Sequence, residues 1–169
     1  MAAVSSSGTA RVTLPTDEQI LITREFAAPS ELVYRAWTTP ELVKRWWAGR
    51  RGEVTSAEID LRVGGAWRYV MVASGGYEVA FHGEFREIVP NERIVTTEVY
   101  EGAEPLPAAD EPLNIVTFSE TDGRTTVELL VQCTTKELRD MIIESGMEAG
   151  LQEGLDLLEE VAISLQPGV

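Results

Sequence analysis

A chain of 169 residues, 44% hydrophobic and 25% charged, has the composition of one soluble globular domain long enough for a single sizeable core. Its net charge of -14, with 28 acidic against 14 basic side chains, offers no basic stripe for phosphates and opposes anionic membrane surfaces, so neither nucleic acid nor membrane is expected as a partner. One cysteine, Cys133, excludes an internal disulfide; with no zinc-type Cys/His spacing, apolar membrane span or secretory leader, the expectation is a cytoplasmic protein with no metal or cofactor.

Residues 1–17 read as a flexible arm ending at Pro15-Thr16-Asp17, and residues 18–166 as one domain. Glu18 to Phe26 has the strand pattern of Ile20, Ile22 and Phe26. Pro29-Ser30 breaks it, with Ser30 placed to cap a helix that carries Leu32, Val33, Ala36 and Trp37. Pro40 opens a second short helix running into Trp46-Trp47. One of these tryptophans can staple that helix to the core while the other caps a cavity mouth.

After Gly49 the texture becomes strand-like. Glu53–Leu61 alternates weakly, whereas Ala66–Val72 alternates strongly and sets Trp67, Tyr69 and Met71 on one face. Ser74-Gly75-Gly76 is a turn into a strand over Tyr77–Val89, where Gly83 suggests a bulge or a close backbone approach. Pro90-Asn91-Glu92 turns into one strand over Arg93–Tyr100. The stretch Glu101–Pro112 is a long loop and the expected mobile segment, and Thr121-Asp122-Gly123 joins strands Leu113–Ser119 and Thr125–Cys133. The tail carries one apolar helical stripe from Leu138 to Leu165, with a pause at Ser145-Gly146 that kinks or divides it. Strands closed by helices read as α+β.

The heavy face of Trp67, Tyr69 and Met71 needs a cover, either a helix or a ligand. Gly146, Gly150 and Gly154 recur every four residues, which would put bare backbone on one face of the last helix. That face either leaves room for a ligand or packs closely against Trp67, Tyr69 or Phe85. The single histidine, His82, reads as a general base or as an ordinary strand residue. Glu98 is in phase with Tyr100; it faces inward with Arg68 or His82 as partner, or faces solvent. Met71, Met141 and Met147 are soft gap-fillers that could line a pocket, and Cys133 reads as a small buried hydrophobe.

These residues, in this order and spacing, closely resemble the activator-of-Hsp90-ATPase-like branch of the SRPBCC (START-like, birch-pollen-allergen-like) superfamily. The likeness spans about Ile20 to Leu165. It is carried by Ala28-Pro29, Val33, Ala36-Trp37-Thr38, Pro40-Glu41 and Trp46-Trp47, then by Asp60-Leu61-Arg62 and Gly64 through Met71. Phe81-His82-Gly83, Ile88-Val89-Pro90, Glu92-Arg93 and Ser145-Gly146-Met147-Glu148 complete it. The resemblance implies a helix-grip fold: a curved antiparallel sheet wrapped around a long C-terminal helix, with two short helices after the first strand. It also implies an apolar cavity between sheet and helix. The candidate lining is Trp67, Tyr69, Met71, His82, Phe85, Glu98 and Tyr100 from the strands, with Met147, Gly150, Leu151 and Gly154 from the helix. A binding protein for a small apolar or amphipathic molecule is the leading expectation. The alternatives are a module docking on a chaperone or other large partner, and a cyclase or hydrolase using His82 and Glu98. Exposed strand edges and family analogy also allow a homodimer.

Overall fold

In the computed structural model, residues 10–102, 107 and 110–167 are described. The first nine residues of the expected arm, and positions 103–106, 108 and 109 of the expected mobile loop, lie outside them. The strands are β1 (Arg11–Thr13), β2 (Gln19–Phe26), β3 (Gly52–Ile59), β4 (Ala66–Ala73), β5 (Glu78–Val89), β6 (Arg93–Thr97), β7 (Val99–Tyr100), β8 (Leu113–Thr121) and β9 (Arg124–Gln132). The helices are α1 (Ser30–Thr38), α2 (Pro40–Val43), α3 (Lys136–Glu144) and α4 (Met147–Ser164). All strand pairings are antiparallel, in the order β1-β2-β9-β8-β6-β5-β4-β3, with β7 pairing β5 beside β6. This is the α+β, helix-grip arrangement: an open curved sheet with a long C-terminal helix.

The core lies between the sheet's concave face and α4. Ile20, Ile22 and Phe26 of β2 are buried together with Val116, Phe118, Val127 and Val131, against Leu155, Leu158, Val161 and Ala162 of α4. Each strand contributes alternate residues to this face, which is why the period-two pattern exposed it in the sequence. Phe118 also receives Tyr34 edge-on at 5.6 Å and Trp37 at 5.8 Å from α1.

Arg24 breaks the apolar alternation of β2. Its side chain is 1% exposed and ties the sheet to α4. Nη1 donates to the Leu155 carbonyl at 2.9 Å, and Nη2 donates to Asp156 at 3.0 Å and Glu159 at 3.3 Å. The guanidinium rests on the Phe26 ring at 4.6 Å, while Nε has no partner among the described residues.

Several boundaries differ from the sequence reading. The arm is not free to residue 17: Arg11–Thr13 pair with Leu21–Thr23, and Ala10 is buried. The Gln152 side chain on α4 anchors it, accepting from the Ala10 amide at 2.8 Å and donating to its carbonyl at 2.7 Å. A three-residue strand is too short to show periodicity. Ser30 is the first helical residue, not the cap. Pro29 occupies the cap position, and Glu120 from the β8–β9 hairpin accepts the Ser30 amide at 2.8 Å and hydroxyl at 3.1 Å. A carboxylate at a helix N-terminus satisfies both the free amide and the dipole. The strand expected over Arg93–Tyr100 is split at Glu98, whose amide donates to the Pro112 carbonyl. Asp122 (φ 53°) and Gly123 (φ 76°) form the expected tight hairpin. Gly146, at φ 83°, divides the helical tail into α3 and α4.

Candidate ligand-binding site

The register of β4 on β5 builds the site. Trp67 lies opposite Gly83, Tyr69 opposite Phe81, and Met71 opposite Val79. On the next strand, Phe81 lies opposite Tyr100. Gly83 is needed because the Trp67 ring crosses it: a Cβ there would fall 2.5 Å from Trp67 Nε1 and would collide with the Thr97 carbonyl. That carbonyl accepts the Trp67 indole N–H at 3.2 Å. The expected close approach at Gly83 is therefore present, while the register shift of β5 falls between Phe85 and Glu87.

An aromatic row runs outward from this point. Trp67 is buried, and its ring sits 4.8 Å from Tyr69. Trp47, from the segment after α2, meets Tyr69 at 5.3 Å and Phe81 at 5.4 Å, both edge-on. Phe81 lies 5.1 Å from Tyr100, which is 46% exposed at the rim. Tyr69, Met71, Phe81 and Trp47 are half-buried, in contrast to the sealed β2–β9 half of the same face. The row's geometry is the offset and edge-on packing that aromatic quadrupoles favour.

Two polar side chains stand beside this row. Glu98 precedes the Val99–His82 pair, on the inward side, and its carboxylate accepts from Asn114 Nδ2 of β8. Asn114 is in phase with the core residues Val116 and Phe118. Burial pushes the Glu98 carboxyl above its ordinary range, and the Asn114 hydrogen bond only partly opposes this. Burial, with the Glu98 charge adding to it, also drives the Tyr69 hydroxyl far above the usual phenol range.

The structure thus brings Trp67, Tyr69, Phe85 and Glu98 together on the concave face, with Met71 and Tyr100 at its edge. Met147 and Leu151 are half-buried on α4 against the core. Three expectations need correction. His82 points to the outer face, since alternate residues of β5 face opposite ways: its Nδ1 is 2.7 Å from Glu101 Oε2. Arg68 clamps the same carboxylate with two bonds of 2.9 Å. His82 and Glu98 consequently cannot act as one acid–base pair. Nor does either Arg68 or His82 partner Glu98; Asn114 does.

The third correction concerns the glycines. A Cβ on Gly150 would meet nothing nearer than Arg51 Cδ at 3.9 Å, and one on Gly154 would lie 3.1 Å from the Trp46 carbonyl. Both face the segment after α2, not Trp67 or Tyr69. Four-residue spacing gives a common face only within one continuous helix, and Gly146 stands outside α4. The cover over Tyr69 is Trp47. Phe81 and Asn114 were missed; the Phe81-Gly83-Phe85 alternation and the polar start of the β8 face were the available signals.

Two open depressions of about 260 and 210 Å³ lie on the outer side, around His82–Glu111 and Arg68–Glu101. Neither lies between sheet and α4. Among the described residues, no cluster of three His, Cys, Asp or Glu could hold a metal, and no helix is long and apolar enough to cross a membrane.

Against known proteins, residues 27–162 match the family model of activator of Hsp90 ATPase homolog 1-like proteins. The chain belongs to this family. Solved structures of similar fold include a protein from Rhodobacter sphaeroides (TM-score 0.83, 23% identity, covering 94% of this chain and 100% of that one). One from Chromobacterium violaceum has TM-score 0.75 and 27% identity, over 87% of this chain and 98% of that one. The AHSA1-like protein from Aeromonas hydrophila has TM-score 0.64 and 24% identity, over 88% and 97%. No curated protein matches the chain.

Proposed function

We propose that this protein binds a small apolar or amphipathic molecule on the concave side of the sheet, beneath Trp47 and beside the N-terminal half of α4. The observation that carries the reading is the half-buried row of Tyr69, Phe81 and Met71, which keeps accessible surface although it faces inward. Apolar walls with a few convergent polar groups are the usual form of a small-molecule site. Trp47 is the cover: from the segment after α2 it meets Tyr69 and Phe81 edge-on.

Native mass spectrometry of protein isolated from its own cytoplasm tests this: a retained small molecule is expected, and it should be lost in Tyr69→Ala. Protein that carries no adduct, and whose tryptophan fluorescence is unmoved by titration with apolar molecules, would overturn the reading. A docking module on a larger protein is the second reading, favoured by Met141 and Ile143, exposed at 64% and 36% on α3. Failure to recover any partner from native cytosol at low salt would sink it.

A further inference from the structure

Glu98 is an acid without a counter-charge. Among the described residues it forms no ion pair, and its one side-chain partner is the neutral Asn114 amide. A carboxylate has about four lone-pair sites, so one donor leaves most of its capacity open. The Tyr69 hydroxyl, close enough to feel the Glu98 charge, has no hydrogen-bond partner among the described residues. It is not sealed either, since among the described residues the one wholly enclosed unpartnered side-chain atom is Arg24 Nε. By register both groups stand on the inward side, Tyr69 on β4 and Glu98 at the break between β6 and β7. A half-buried carboxylate with acceptor capacity to spare favours a cation or further donors beside it.

Building on the binding function proposed above, we infer that the occupant is an amphipathic amine whose ammonium sits on the Glu98 carboxylate, its apolar part lying along Tyr69, Phe81 and Trp47. An ammonium supplies three donors, enough for Glu98 and for the Tyr69 oxygen. The ring faces of Tyr69, Phe81 and Trp47 attract a cation through their quadrupoles. The net charge of -14 concentrates cations around the molecule and repels anions. A fatty carboxylate would place a second negative charge beside Glu98, and a neutral alcohol would use only one of its open acceptor sites. Burial favours the neutral form of the Glu98 carboxyl, and an ammonium beside it would favour the charged form. Whatever proton it holds in the empty protein leaves to solvent when the ammonium arrives.

Titrating tryptophan fluorescence at neutral pH with n-decylamine, n-decanol and decanoate tests the inference. Decylamine should bind at least about tenfold more tightly than decanol, with decanoate weakest, and the amine's advantage should vanish in Glu98→Gln. That variant changes the total charge by one unit, so adsorption of amine to the acidic surface would survive it and overturn the inference. Equal binding of all three probes leaves a binding protein but removes the amine preference. Binding of none removes both. Should the variant not fold, the wild-type series repeated at high salt decides: adsorption to the acidic surface is screened and the amine's advantage disappears, whereas a contact at Glu98 keeps it.

Discussion

Replacing Arg24 with methionine removes the charge that fastens β2 to α4 while keeping an unbranched apolar stem of similar reach. The variant loses a 2.9 Å bond to the Leu155 carbonyl and two ion-pair bonds, to Asp156 and Glu159. These are not equivalent. Asp156 is 42% exposed and rehydrates readily, whereas Glu159 is 13% exposed and keeps only the Ala27 amide at 2.9 Å. Breaking a buried pair by removing one partner costs about 3–5 kcal/mol. The exposure of Asp156 and the unpartnered Arg24 Nε place this case at the lower end, about 3 kcal/mol. For a chain of this length that lowers Tm by about 6–12 °C. Thermal unfolding followed by circular dichroism reads the shift. The double variant Arg24→Met with Glu159→Gln should recover part of the loss, because the glutamine still accepts from Ala27 without an uncompensated charge. A single variant melting within about 2 °C of the wild type, or a double variant weaker than the single, would refute the tie.

The glycines of α4 should behave oppositely to one another. Gly150→Ala has open space and should raise stability by the helix-propensity difference of about 0.8–1 kcal/mol, or about 2–4 °C in Tm. Gly154→Ala should bring no gain, because its methyl would meet the Trp46 carbonyl, which is held by the Gly49 amide at 3.0 Å and by the Trp46 indole bond to Ala36 at 2.9 Å; equal gains in the two melts would contradict this packing. On the outer face, hydrogen bonds from Arg68 and then His82 hold the Glu101 carboxyl down from 4.5 to about 2. A depressed acid stabilises the fold above its unfolded pKa, so this contribution is full above pH 4.5 and fades towards pH 2. Carboxyl NMR should find the Glu101 midpoint near 2, moving up in Arg68→Gln; an unshifted midpoint in the parent protein would show that the clamp is not formed in solution.

Alternation made the fold legible because most strands here have one buried face: the inward set of β2, β4, β8 and β9 follows directly from period two. The inward direction of Glu98 was readable as one of two phases, and Trp47 as one of two candidate covers. What stayed hidden depended on contacts between distant segments. Nothing local to Glu120 says that it will meet Ser30, nor that Asn114 will reach Glu98 across a strand break. The glycine face went astray for a different reason. Spacing fixes which residues share a helix face, but the opposing surface is set by the whole chain's path, and here that surface is the Trp46–Arg51 segment. The Gly146 conformation likewise cut a pattern that looked continuous.

The three-residue strand β1 has a consequence for self-association. It covers the outer edge of β2 at Leu21–Thr23, on a strand that otherwise offers unpaired amides and carbonyls to any extended chain. Gln152 holds it in place by exchanging two hydrogen bonds with Ala10, as a neighbouring strand would. The helix that organises the core thus also guards one margin of the sheet. A chain trimmed to begin after residue 13 would lose Ala10 and Val12 from the margin of the core and offer a ready template for edge-to-edge pairing, and its first defect would be aggregation.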